Sequence, residues 1–191
     1  MSSILLEIDG TNLDAPESLM ENLSNGLDIV GKQGEANIFE IIDSKAGPSG
    51  DDNIAGGLLN DIIKSGAGDD NLSGNDGNDD LYGGEGDDLI RGGEGDDLII
   101  GGKGSDVLIG GKGADVFEFF AEDFESGEMD MIRDFEGIDT IRIKGLDPSV
   151  NVEYDSQTGY VSIDGQDAIH IGKDLDITTN DSNNDGDWEL F

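Results

Sequence analysis

The sequence is poor in the residues that most often build rigid frameworks or catalytic sites. It has no cysteine and one histidine among 191 residues. The absence of cysteine excludes a disulfide framework, a zinc–thiolate site and a cysteine nucleophile. Only 10 Lys and Arg oppose 45 Asp and Glu, which gives a formal net charge of −35. Phosphate binding needs clustered cations, so we do not expect a nucleic acid partner.

Long hydrophobic runs are also missing. No stretch of about eighteen apolar residues occurs, so no transmembrane helix is predicted. At the N-terminus no basic segment precedes an apolar one, so we expect no Sec-type signal peptide. The length is sufficient for one or two small domains.

Glycine and aspartate, by contrast, recur in units of nine residues from 47 to 118. The eight units read GPSGDDNIA, GGLLNDIIK, SGAGDDNLS, GNDGNDDLY, GGEGDDLIR, GGEGDDLII, GGKGSDVLI and GGKGADVFE. Gly fills positions one and four in seven of the eight units each. Position six is always aspartate: Asp52, Asp61, Asp70, Asp79, Asp88, Asp97, Asp106 and Asp115. Position eight is always apolar: Ile54, Ile63, Leu72, Leu81, Ile90, Ile99, Leu108 and Phe117.

Each unit divides into a loop half and a strand half. Glycine tolerates positive φ and lets the backbone approach a ligand closely, and carbonyls with a carboxylate form an oxygen-only cage that suits a hard cation such as calcium. The apolar half predicts a strand of about three residues. Alternating strands and loops predict a flattened coil with two units per turn, so the aspartates fall into two columns, one on each edge. Stacked carboxylates about 4.8 Å apart repel unless a cation lies between them.

The pattern GGxGxDxUx, in which U is apolar, resembles the calcium-binding nonapeptide repeat of the RTX family of secreted bacterial proteins. The resemblance implies an all-β, right-handed parallel β-roll that holds several calcium ions, about six here. It implies that each ion lies between two loops one turn apart. Its ligands would be the carbonyls of positions two and four and the Asp of one loop, with the carbonyls of positions one and three and the Asp of the next.

Carried over to this chain, the resemblance implies six aspartate pairs, at 52/70, 61/79, 70/88, 79/97, 88/106 and 97/115. One site would use Gly66, Gly68 and Asp70 with Gly83, Glu85 and Asp88. The further backbone ligands it implies are Gly84, Gly86, Gly93, Gly95, Gly101, Lys103, Gly110 and Lys112. The 61/79 pair departs from the pattern, because Leu59 and Asn75 replace glycines. Pro48 and Ser65 are further departures.

The same composition is also typical of a disordered Gly/Asp tract. The regular apolar position favours the calcium array, since a flexible tract has no reason to keep it. Both states are expected in turn, because without metal the charge should keep the tract unfolded.

The flanks divide the chain into residues 1–46, 47–118 and 119–191. In the first part we predict a strand at residues 4–8, a short helix at about 14–23 that caps the coil or binds a partner, and degenerate coil turns at 27–46. In those turns, Asp43 lies eighteen residues before Asp61.

The third part is predicted to be a β-rich cap that packs on the end of the coil. After a strand that includes Phe119 and Phe120, we expect an acidic loop at 121–128, a hairpin at 150–154 and 160–163, and a strand at 168–171. The residues from Asp130 to about 145 resemble the segment that follows the repeats in many RTX proteins.

Two patterns lie near the end of the sequence. Residues 181–189 resemble a DxDxDG calcium loop without the final Glu of an EF-hand, and a solvated acidic tail is the alternative. The ending Asp187-Trp-Glu-Leu-Phe191 is similar to the uncleaved C-terminal signal of type I secretion.

Catalysis has little support in this sequence, and we expect a non-enzymatic protein whose only histidine is His170. The sequence and its resemblance to the RTX family predict a secreted calcium-binding β-roll, extracellular or on the cell surface, with a structural, adhesive or surface-assembly role. Its expected partners are calcium, a type I exporter and either further copies of itself or a cell-surface polysaccharide. The alternatives are a non-catalytic polysaccharide module similar to those of alginate epimerases, or an accessory subunit of an exported enzyme.

Overall fold

The computed structural model describes residues 50–124, 127–173, 175, 177 and 187–191, with the backbone of four further strands at 4–8, 27–31, 40–42 and 179–180. The strands in chain order are β1 (Ile4–Ile8), β2 (Leu27–Gly31), β3 (Glu40–Ile42), β4 (Asn53–Ala55), β5 (Ile62–Ala67), β6 (Asn71–Asp76), β7 (Asp80–Glu85), β8 (Leu89–Glu94), β9 (Leu98–Lys103), β10 (Val107–Lys112), β11 (Val116–Phe120), β12 (Asp130–Ile132), β13 (Thr140–Lys144), β14 (Val152–Asp155), β15 (Tyr160–Ile163), β16 (Gln166–His170), β17 (Thr179–Asn180) and β18 (Trp188–Leu190). A short 3-10 helix spans Ala121–Phe124.

From β2 to β13, successive strands alternate between two sheets. In the described part of the chain the first sheet has the order β1-β2-β4-β6-β8-β10-β12-β16-β15-β14, and the second has the order β17-β18-β13-β11-β9-β7-β5-β3. Pairing is parallel from β4 to β12 and from β5 to β13. This arrangement confirms the predicted parallel β-roll.

The register of the repeat strands is one turn per two units. Leu72 pairs with Ile90 and Leu81 with Ile99, which is a spacing of eighteen residues. The apolar residue of position eight points inward in every unit, and its exposed fraction is 3% or less from Ile54 to Phe117. These stacked side chains form the core between the two sheets.

The coil continues past the last repeat, but with a wider turn. Leu108 pairs with Ile132 and Phe117 with Ile141, so this turn takes 24 residues and carries the 3-10 helix where an open acidic loop was predicted. Phe135 closes the core by packing on Phe117, with ring centroids 6.3 Å apart. After this turn antiparallel pairs appear: β14, β15 and β16 form a meander, and β18 pairs with β13. The meander joins the first sheet through parallel pairing of β16 with β12.

Most predicted elements of the flanks have counterparts. The predicted strand at 4–8 is β1, and the predicted hairpin and following strand are β14, β15 and β16, with shifted ends. Of the predicted degenerate turns, the structure describes β2 and β3, and Ile41 of β3 pairs with Ile63, a spacing of 22 rather than 18 residues. Asp43 lies outside the described residues. The helix predicted at 14–23 lies outside the described residues. Among the described residues, no helix is long and apolar enough to cross a membrane.

Candidate metal centres

The position-six aspartates form two hydrogen-bonded columns. The backbone N–H of each aspartate donates to Oδ1 of the aspartate one turn later, as from Asp70 to Asp88 at 2.8 Å and from Asp79 to Asp97 at 2.8 Å. The eight residues from Asp52 to Asp115 are all buried, with exposed fractions of 6% or less. The sequence spacing therefore places carboxylates one above another inside both edges of the coil.

The second oxygen of six of these carboxylates has no hydrogen-bond partner among the described residues. Oδ2 is buried and makes no hydrogen bond in Asp70, Asp79, Asp88, Asp97, Asp106 and Asp115. A buried charged oxygen without a partner is costly, and native proteins rarely leave one. Six of them at equivalent places indicate that the folded coil takes up a cation there.

The glycine at position one keeps space beside five of the six orphaned oxygens, all except that of Asp70. A Cβ at Gly83 would lie 2.1 Å from Oδ2 of Asp88 and 2.7 Å from the carbonyl oxygen of Gly101 in the next turn. A Cβ at Gly92 would meet Oδ2 of Asp97 and the carbonyl of Gly110 in the same way. Oδ2 therefore faces the following turn, where it meets a backbone oxygen. Oxygens that converge from two loops are a donor set suited to calcium.

Positions two and four require glycine for a different reason. Gly84 and Gly86 have φ of 121° and 126°, which other residues rarely adopt. A Cβ at either position would also lie 2.0 Å from a carbonyl oxygen of the preceding turn, that of Gly66 or of Gly68. The loops thus bring the backbone of successive turns close enough for their carbonyls to share one ion.

The position-three residues can contribute only their backbone oxygen. The side chains of Glu85 and Lys103 are exposed and pair with each other at 3.4 Å. The carbonyl of Glu85 accepts the N–H of Gly68 at 2.8 Å, and that of Lys103 accepts the N–H of Gly86 at 2.8 Å. Each carbonyl keeps a second lone pair for a metal. Among the described residues no three acidic or histidine side chains converge on one point, so a cation there must rely on carbonyls.

Burial raises the pKa of the column carboxyl groups above their usual range near 4. The pKa of Asp79 rises to about 7 and that of Asp88 to about 8. Those of Asp106 and Asp115 rise to about 6 each. Backbone hydrogen bonds oppose the increase, whereas the neighbouring aspartates of the same column add to it for Asp79, Asp88 and Asp115. A bound cation would reverse the shift, because it favours the ionised form.

The 61/79 pair differs from the others, at the place where the sequence departs from the pattern. Oδ2 of Asp61 accepts the N–H of Gly57 at 2.7 Å, so it is not orphaned. The carbonyl of Gly57 accepts the N–H of Asp76 at 3.3 Å. Asn75 adopts a positive φ of 78° and donates from Nδ2 to the carbonyl of Gly56 at 2.9 Å. In this pair, N–H donors of the protein thus bond to the carboxylate and carbonyl oxygens that would bind a cation in the other loops.

Ser65 changes the 70/88 pair in another way. It replaces a position-one glycine, is 1% exposed, and donates from Oγ to the carbonyl of Gly83 at 2.9 Å. This places a hydroxyl beside one of the predicted ligands of that pair.

A second ladder at position five was missed from the sequence. The N–H of Asp69 donates to Oδ1 of Asp51 at 3.2 Å, and that of Asp87 to Oδ1 of Asp69 at 3.0 Å. Asn60, Asn78 and Asp96 form the equivalent ladder on the other edge. These bonds run towards the preceding turn, opposite to those of position six. The sequence carries the signal, since position five is Asp or Asn in the first six units.

The position-six columns also continue beyond the predicted residues. Asp106 donates its N–H to Oδ1 of Asp130 at 2.9 Å, and Asp115 donates to Oδ1 of Asp139 at 3.1 Å. The signal for Asp139 is present in the sequence, because residues 134–142 read DFEGIDTIR and keep Gly, Asp and Ile at positions four, six and eight.

The other candidate residues lie apart from these columns. The ring of His170 packs on that of Tyr160 with centroids 4.7 Å apart. The acidic loop predicted at 181–189 falls largely on residues 181–186, which lie outside the described part of the chain.

Comparison with known protein families agrees with this geometry. The model of the RTX calcium-binding nonapeptide repeat, in four copies, matches residues 47–81, 55–90 and 82–117. The match is to a calcium-binding repeat and not to a catalytic domain. No curated protein matches the chain. Residues 47–117 therefore carry calcium-binding repeats of the RTX type.

Proposed function

Because its repeats are of the RTX calcium-binding type, we propose that this protein is exported unfolded and folds on calcium outside the cell, where it has a structural, adhesive or surface-assembly role. One observation carries the proposal: among the described residues, six buried carboxylate oxygens lack a hydrogen-bond partner, and those of Asp79, Asp88 and Asp97 lie beside a backbone carbonyl of the next turn. A coil with such oxygens needs a counterion to be stable.

Calcium supplies that counterion in the proposed mechanism. Without it, the aspartates one strand spacing apart repel each other, and a chain with a net charge of −35 remains extended. Calcium is scarce inside cells, while extracellular modules bind it with Kd of about 10⁻⁴–10⁻³ M. Folding therefore follows export. The predicted ligand residues hold the ions, and the segments 1–46 and 119–191 cover the two ends of the coil.

A calcium titration tests this proposal directly. Circular dichroism of the chelator-treated chain should show mostly disorder, and β signal should appear cooperatively at submillimolar to millimolar calcium. Isothermal titration calorimetry in parallel should give several ions per chain. Magnesium is the matched control, and it should substitute poorly because it demands tighter octahedral geometry. A fully folded spectrum in EDTA would contradict calcium-driven folding.

The C-terminal strand supports export before folding. Trp188, Glu189 and Leu190 pair with β13, and Leu190 is fully buried. A secretion signal at residues 187–191 is therefore accessible to a type I exporter only while the chain is unfolded. Deleting residues 188–191 should abolish secretion. Phe191→Asp changes the same segment but keeps the strand, since Phe191 is 44% exposed and lies outside it. This variant therefore distinguishes an effect on secretion from an effect on folding. Normal secretion of the deletion variant would place the signal elsewhere.

The surface favours a structural role over polysaccharide binding. A polyanion would need a basic groove, whereas all four cations in the repeats lie against groups of neighbouring turns, Arg91 by a hydrogen bond to Asn71. Lys64 lies over the ring of Tyr82, and Lys103 and Lys112 pair with Glu85 and Glu94. Light scattering with and without calcium should show assembly if the role is structural. A glycan array in calcium should stay blank, and strong binding to one glycan class would favour the polysaccharide module instead.

A further inference from the structure

The aspartate columns do not stop where the recognised repeats end. The family match ends at residue 117. Asp106 and Asp115, the last position-six residues, nevertheless donate to Asp130 and Asp139 in the same way that earlier aspartates donate to one another. Asp130 and Asp139 are buried, with exposed fractions of 3% and 4%. The wide turn of 24 residues therefore keeps the carboxylate spacing of the repeats, although its sequence does not.

The direction of the orphaned oxygen makes this continuation significant. Within the repeats, Oδ1 of Asp79, Asp88 and Asp97 accepts an N–H of the preceding turn, and Oδ2 lies beside a carbonyl of the following turn. Oδ2 of Asp106 and of Asp115 has no partner, and both residues are only 1% exposed. The turn that follows them is the wide turn. Because Asp106 and Asp115 bond to the wide turn as the earlier aspartates bond to one another, we expect their unpartnered oxygens to face Asp130 and Asp139.

We propose that the calcium columns run one turn further than the repeats, with one ion between Asp106 and Asp130 and another between Asp115 and Asp139. This inference rests on the proposed calcium-driven folding. The near-side ligands are the carboxylate of Asp106 with the carbonyls of Gly102 and Gly104, and on the other edge the carboxylate of Asp115 with the carbonyls of Gly111 and Gly113. These glycines have the positive φ of their counterparts in the earlier loops.

The far side of each site differs from a repeat loop. A Cβ at Gly101 or Gly110 would have only atoms of its own Asp106 or Asp115 as nearest neighbours, whereas earlier loops also offer a carbonyl of the next turn. On the first edge, Asp123 and Glu128 lie close enough to act electrostatically on both Asp106 and Asp130. A cation there thus meets more negative charge than in the repeats, while its direct ligands are the column carboxylates and backbone carbonyls.

Asp130 is the cleaner position for a test. Asp130→Asn keeps an oxygen that accepts the N–H of Asp106 but removes the negative charge. At Asp139, Oδ2 also accepts the N–H of Glu136 at 2.7 Å, so an amide there would disturb the loop itself. Asp164→Asn is the matched control, because Asp164 is an exposed turn residue whose Oδ1 accepts a backbone N–H from Asn151.

Native mass spectrometry of the full chain in saturating calcium reads the number of ions per folded molecule. Asp130→Asn should bind one ion fewer than the parent, Asp106→Asn two fewer, and Asp164→Asn the same number. Equal numbers for Asp130→Asn and the parent would overturn the inference while leaving the repeat sites intact. A parent chain that binds no calcium would overturn the proposed function as well.

A crystal structure of the unmodified chain in calcium gives an answer even if a variant fails to fold. Anomalous difference peaks beside Oδ2 of Asp106 and of Asp115, on the side of Asp130 and Asp139, would support the two sites. Peaks confined to the loops before Asp106 and Asp115 would overturn them.

Discussion

The repeat loops and the loops that follow them bury carboxylates in the same coil, but the two groups obtain their partners differently. In the repeats, Oδ2 of six aspartates has no protein partner. In the later part, Oδ2 of Asp123 accepts the N–H of Phe120 at 2.7 Å, and Oδ2 of Asp139 accepts that of Glu136 at 2.7 Å. Glu118, at the end of the last unit, pairs with Arg142 and Lys144. The supply of nearby donors therefore distinguishes Asp123, Asp139 and Glu118, which have protein partners, from the six repeat aspartates whose Oδ2 needs a cation.

Removal of calcium should give the largest effect and the sharpest contrast between the two regions. Hydrogen exchange with and without calcium should show protection lost most strongly between residues 62 and 112. The loss should be smaller in the antiparallel meander β14 to β16, because its turns hold no orphaned carboxylate. The measurement is exchange by mass spectrometry at peptide resolution.

Magnesium at the same ionic strength controls for charge screening in this experiment. Equal loss of protection in both regions would show that the meander has no stability apart from the coil. The two regions would then differ in the partners of their carboxylates but not in their dependence on calcium.

Single aspartates test the column arrangement at the next level. Asp88 belongs to the 70/88 and 88/106 pairs, whereas Asp52 belongs only to 52/70. Each independent ion contributes about 2.7 kcal/mol when calcium is 100-fold above Kd. Asp88→Ala should therefore raise the calcium midpoint of folding clearly more than Asp52→Ala, as measured by circular dichroism. Equal losses of bound calcium in calorimetry would show that the loops bind metal singly or in another register.

A change of pH should have a smaller effect than these substitutions. A rise in pH should destabilise the metal-free coil and strengthen calcium binding. In the metal-free coil the pKa of Asp79 is raised to about 7 and that of Asp88 to about 8, above the value of the unfolded chain. Their protonation therefore stabilises the metal-free coil fully below about pH 4, and this contribution is lost as the pH rises through about 7 to 8. Calcium must displace those protons, so its affinity should rise over the same range.

Circular dichroism of the calcium-free chain should accordingly show more β structure at pH 5 than at pH 8, and the calcium midpoint should be lower at pH 8. Asp88→Asn, which mimics the neutral acid, should reduce the pH dependence of the calcium-free chain. A calcium midpoint that does not change with pH would contradict the buried, proton-binding state of the columns.

The smallest effect is expected at position three. Lys103→Ala removes an exposed ion pair with Glu85, which is worth about 0–1 kcal/mol, but it keeps the carbonyl that is the proposed ligand. Calorimetry should find the same number of calcium ions as in the parent. A lost ion would mean that the side chain, and not the backbone, shapes this part of the cage.

The fold of the repeats could be predicted from the sequence because each unit has the same geometry. Glycine, aspartate and an apolar residue at fixed positions determine the loop, the edge and the core, so the turn of eighteen residues follows from counting. The wide turn could not be counted in this way. Its 24 residues contain a 3-10 helix, and only the register of Leu108 with Ile132 shows that Asp130 continues the column.

The 61/79 pair shows what the repeat pattern cannot predict within the repeats themselves. Leu59 and Asn75 identify it as irregular in the sequence. The N–H of Gly57 that takes up Oδ2 of Asp61, however, depends on the path of the backbone through that one loop. No residue type signals such a bond.

The two opposed ladders, at positions five and six, restrict how such a chain can change its length during evolution. Each loop both receives and gives hydrogen bonds to the loop exactly above or below it on its own edge, eighteen residues away. A duplication of nine residues would move every later strand to the opposite sheet and every later loop to the opposite edge. A duplication of eighteen residues would instead lengthen the coil by one strand spacing, about 4.8 Å, and leave every other neighbour unchanged. Gene segments of two units are therefore the smallest that this architecture can gain or lose without rebuilding its ends.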